Sequence, residues 1–172
     1  MHHRRTGNSH LEVACDMATS TEAAHDIDIS TGTENWVIGG ISGLLAGGVF
    51  GGIMSHTPMM ENVAALLTLT GAPAGWLFHF IISIVFGAIF AVIVAAGPLP
   101  TYAKRASTGA GLGIIYGIVV WVIGAAIVMP LWMGAVTPAE PPVPNLNWLS
   151  FAGHIAYGVV LGAIYPVLLA HN

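Results

Sequence analysis

From Trp36 to Asn172 this chain carries only four formal charges: Glu61, Lys104, Arg105 and Glu140. A water-soluble domain has about a quarter charged residues and could not cover its surface with so few. Four uncharged apolar runs lie at about 36–56, 76–97, 108–129 and 148–169. Each fits the roughly 20 residues that cross a bilayer as a helix. In hydrocarbon every backbone polar group needs an internal partner, which a helix supplies. The expected fold is therefore all-α: a four-helix transmembrane bundle over 36–172, with the lipid bilayer as its first partner.

The first 35 residues differ. They hold most of the acidic side chains and contain no apolar core of the kind a secretory signal needs. Their polar, Ser/Thr-rich character predicts a disordered acidic tail over 1–35. Met17, followed by small polar residues, is a second candidate start. The net charge of −4 and a single lysine give no basic surface for nucleic acid. One cysteine, Cys15, allows no internal disulfide.

Lys104 and Arg105 fall in the short link between the second and third runs. Cations near spans mark the cytoplasmic side. The chain is thus expected to be a multi-pass plasma-membrane protein with both termini cytoplasmic and the longer links, 57–75 and 130–147, outside. "HFIISIVFGAIF" from His79 and "HIAYGVVLGAIY" from His154 share Gly-Ala-Ile-aromatic eight residues after the histidine. A shift of about 73 residues also lays Gly40 on Gly113, Gly51 on Gly124 and Met60 on Met133. Two duplicated helical hairpins follow, related by an axis along the membrane normal.

Small residues let helices approach closely in lipid. Gly39, Gly43, Gly47 and Gly51 form one stripe, and Gly109, Gly113 and Gly117 a weaker one. These faces predict helix packing, within the chain or in a homo- or hetero-oligomer. Residues four apart share a helix face. Stepping from His79 gives Ser83, Gly87 and Ala91, and from His154 gives Gly158, Gly162 and Pro166. Both rings are therefore expected to point into the bundle, roughly 5 and 9 Å inward of Trp76 and Trp148 at 1.5 Å per residue. Pro166 is expected to bend the end of the fourth span.

An ionisable residue within a span is a functional hypothesis. One reading makes His79 and His154 the axial ligands of a haem b. Against it stand the lack of a basic residue for the propionates and the bulk of Tyr157. A second assembles copper ligands from His56, Met59, Met60 and Met133, with Met54 and Met129 nearby, since thioether and imidazole suit Cu(I). Methionine is also common apolar filler. The plainest reading gives each histidine a hydrogen bond across the bundle, to the other histidine, a tyrosine or a carbonyl, in a scaffold or accessory subunit without a cofactor. Transport is opposed by the absence of charge within the spans. No nucleophile constellation, carboxylate pair or phosphate loop suggests an enzyme. The link after the first span is expected to hold a short helix from Pro58 to Gly71. Its counterpart after the third is too proline-rich and should be extended.

In its acidic tail, its "GGISGLLAGGVFGG" first span and its two histidine helices, the chain resembles small four-span membrane proteins of halophilic archaea. That resemblance implies a fold class and a membrane location, and no activity.

Overall fold

The computed structural model describes residues 33–96 and 98–171. The expected tail over 1–35 lies almost wholly outside them, although the first helix already includes Thr33. Among the described residues the fold is all helix. Four helices are long and apolar enough to cross a membrane: α1 (Thr33–Met54), α3 (Ala72–Val94), α5 (Ala106–Val136) and α6 (Trp148–Leu169). Two short helices lie between spans, α2 (Met59–Ala65) and α4 (Leu99–Ala103). Large apolar side chains such as Leu77, Ile81, Ile115 and Ile123 face outward. A protein in water would not expose an apolar belt of this kind, whereas a bilayer requires one.

Glycine decides which faces meet. In the first hairpin α1 lies on α3, with Gly39 against Gly87, Gly43 against Ser83 and Gly47 against Ser83 and His79. In the second α5 lies on α6, with Gly109 against Gly162, Gly113 against Gly158 and Gly117 against His154. At Gly43, Gly109, Gly113 and Gly117 the atom a Cβ would strike first is a backbone carbonyl oxygen of the partner helix. Nothing but hydrogen fits there, and such approaches favour Cα–H···O contacts. The flanking Gly48 and Gly52 look into open space.

The pairwise matches correct the sequence alignment of the first and third spans. Gly43, and not Gly40, occupies the place that Gly113 has in the other hairpin, while Gly40 faces Ile84. Ser83 and Gly158, each four residues after a histidine, lie against Gly43 and Gly113 respectively. The hairpins meet through α1 and α6. Phe50, Met54, Phe90, Tyr157, Leu161 and Tyr165 form the core there. Spans α3 and α5 lie farther apart. Side chains bridge them: Tyr116 Oη–H donates to the Phe86 carbonyl at 2.7 Å, and Phe78 meets Trp132.

The proline segments depart from expectation. The third span does not stop before Pro130. It runs through "MPLWMGAV" to Val136, and only the stretch after it is extended. Residues Trp121–Val128 of α5 are π-helical. Pro130 has no N–H to give the Ala126 carbonyl four residues earlier, and the Asn145 N–H takes that place at 2.8 Å. The extended cap is thereby tied back into the bundle. Pro166 lies inside α6, which runs on to Leu169 as expected, and the Gly162 carbonyl it frees lies over Gly109. The first link is helical only to Ala65, then turns through Thr68 and Gly71, both at positive φ.

Candidate functional site

His79 and His154 both reach the interior, at the end of the bundle that carries the longer links, and they do different things. His79 is buried, and its Nε2–H donates to the Gly47 carbonyl at 3.0 Å. Gly47 has no side chain to keep the ring off the backbone, so this bond fastens α3 to α1. His154 donates from Nδ1–H to the Ser150 carbonyl one turn back in its own helix, at 2.8 Å. The proton on Nδ1 leaves a lone pair on Nε2, and among the described residues that nitrogen has no hydrogen-bond partner. Phe50 sets its ring edge against both imidazoles, with centroids 5.4 Å from His79 and 4.7 Å from His154. Neither histidine bonds the other or a tyrosine. Tyr116 and Tyr157 instead donate to carbonyls of α3, Tyr157 to Ser83 at 2.8 Å.

Both histidines line a cavity of about 290 Å³. Its walls come from all four spans, from α2 and from the cap. The separation of α3 from α5 opens it, and the π-helical turns contribute Gly124, Ala125 and Val128. Such turns are frequent at functional sites, because they widen a helix and re-aim its side chains. Most of the lining is apolar. The polar exceptions besides the histidines are Asn62, Asn145, Asn147, Ser83 and Ser150, with the Tyr157 ring. Asn145 and Asn147 are placed by the cap, whose last residue caps α6 by accepting the Ser150 N–H on Asn147 Oδ1 at 2.9 Å.

The sulfur-rich cluster divides. Met59 lines the cavity, as do Met54 and Met129. His56 is exposed on the turn after α1. Met60 is buried beneath Gly75 and Gly51. Met133 is buried on the projecting end of α5, where its carbonyl accepts from Thr137. Four proposed metal ligands thus reduce to one at the cavity, and two others replace them. Among the described residues no three His, Cys, Asp or Glu side chains come together as a metal site. Glu61 and Glu140 are exposed.

The cavity was missed by sequence reasoning. Its one signal was Pro130 inside an apolar run, which marks a disturbed helix as readily as an ended one. No family model matches the chain, and comparison with curated proteins and solved structures found no match.

Proposed function

We propose that this is a multi-pass membrane protein that binds a small, largely apolar ligand inside its helix bundle, with His154 as the polar anchor. One observation carries the reading: the cavity lined from every span, into which His154 brings an Nε2 with no partner among the described residues. Binding pockets combine apolar walls with a few placed polar groups in this way.

Haem held between both rings has less support. His79 gives its Nε2–H to Gly47, so one Nε2 and not two is available, and Phe50 packs against both rings. The matched glycine contacts support descent of the two hairpins from one duplicated unit. Lys104 and Arg105 in the short link support cytoplasmic termini, which puts the cavity in the outer half of the membrane.

Gly124 tests the reading. It lines the cavity, and a Cβ there would meet nothing closer than the Val120 side chain, at 3.9 Å. Wild type and Gly124→Leu, extracted from the same membranes, are compared by native mass spectrometry. The wild type is expected to carry a bound small-molecule mass that the variant lacks, while the variant melts no lower. Identical spectra with no bound mass in either protein would overturn the proposal.

A further inference from the structure

We propose that the ligand is an uncharged, membrane-soluble alcohol or phenol whose hydroxyl donates to Nε2 of His154. This deepens the ligand-binding reading and rests on it. Nδ1 of His154 lies 2.8 Å from the Ser150 carbonyl, which can only accept, so Nδ1 carries the proton. Nε2 of the neutral ring is then an acceptor with no proton to give. A ligand that offered it a carbonyl or ether oxygen would set lone pair against lone pair. His79 is buried among the rings of Phe50, Trp76 and Phe80, so His154 is the more open of the two histidines.

The remaining lining sets charge and shape. It contains no Lys, Arg, Asp or Glu, so an ionised carboxylate or ammonium ligand would enter with nothing to balance its charge. An amide would bring a carbonyl that needs a partner of its own, whereas a hydroxyl meets the lone pair with the least polar surface added. Phe86, seven residues inward of His79 on α3, still lines the cavity. Apolar space therefore continues for roughly 10 Å inward of the rings, at 1.5 Å per residue. One hydrogen bond anchors such a molecule and apolar walls hold the rest, so no second side chain has to converge on the hydroxyl.

The test is photolabelling of the purified full-length protein in detergent by a decanol that carries a diazirine on its chain. Unlabelled decan-1-ol and its methyl ether compete with it at matched mole fractions in the micelle. The expected result is labelling of peptides that line the cavity, displaced by the alcohol at about three- to tenfold lower mole fraction than by the ether, the worth of one hydrogen bond. In His154→Phe, which keeps a ring and loses the acceptor, the two competitors should become equal. Gly124→Leu should lose the labelling. Equal competition in the wild type, or a preference that survives in His154→Phe, overturns the proposal; labelling that Gly124→Leu still abolishes would then leave the ligand-binding reading standing. An absence of saturable cavity labelling overturns it as well, and the native mass comparison decides the reading beneath. If His154→Phe does not fold, NMR of the wild-type imidazole nitrogens decides. Decan-1-ol should move the unprotonated Nε2 signal of His154 and the ether should not, and an unmoved signal overturns the proposal.

Discussion

Two buried tyrosines of α6 show how much depends on the far end of one side chain. Tyr157 and Tyr165 are both almost wholly enclosed. The Tyr157 hydroxyl donates to the Ser83 carbonyl of α3, whereas the Tyr165 hydroxyl has no partner among the described residues. A made hydrogen bond within a membrane bundle contributes about 0.6–2 kcal/mol, and an unmade buried one costs about 1–3 kcal/mol. Phenylalanine should therefore act in opposite directions at the two sites. Tyr157→Phe is expected to lose about 1 kcal/mol in SDS-induced unfolding, and Tyr165→Phe to be neutral or to gain a similar amount. Equal losses at both would mean that the Tyr165 hydroxyl is satisfied. At this scale the sequence was half legible. The four-residue step from each histidine put both rings inside, where they are, because small residues mark a packed face. It did not show their partners, since the acceptors are backbone carbonyls, which every residue type carries alike.

Helix against helix, the controlling quantity is how near two backbones can come. Gly113 and Gly158 each lie under the other's carbonyl, so a methyl group at Gly113 would meet backbone that cannot rotate away. Gly48 faces nothing within van der Waals reach. Gly113→Ala should destabilise the bundle by about 1–3 kcal/mol or more through overpacking. Gly48→Ala should stabilise it by about 0.5–1 kcal/mol through helix propensity. Circular dichroism during SDS titration would separate the two, and a neutral Gly113→Ala would contradict the close approach of α5 and α6. The stripe over Gly39, Gly43, Gly47 and Gly51 was visible in the sequence because its period is that of the helix. The true register between the hairpins was not. Glycine matches at a uniform shift do not say which residues meet, and only the contacts with α3 and α6 show which glycines hold corresponding places. The third span was likewise cut short at Pro130, where proline rules read locally predict an end. The Asn145 N–H that replaces the lost donor comes from a segment fifteen residues on.

The whole molecule is two glycine-packed hairpins joined along α1 and α6, with space left between α3 and α5. Phe50 sits at the join. It touches His79 of its own hairpin and His154 of the other, and its ring fills the place a side chain at Gly153 would take. Leu45, on the same helix, faces outward and is 47% exposed. In water both residues would owe their worth to leaving solvent. In a bilayer that driving force is absent between helices, because lipid tails are as apolar as the side chains. What remains is the cost of an unfilled space. Lipid can fill the gap left by Leu45→Ala but cannot reach the one left by Phe50→Ala. Leu45→Ala is thus expected to change stability by less than about 0.5 kcal/mol, and Phe50→Ala to cost about 2 kcal/mol from the cavity contribution alone. Phe50→Ala should also free the His79 and His154 rings, visible as a collapse of their separate imidazole NMR signals toward averaged ones. If the two substitutions instead cost the same, the hairpins do not meet at Phe50, and the cavity beside it would lose the wall that sets His154 in place.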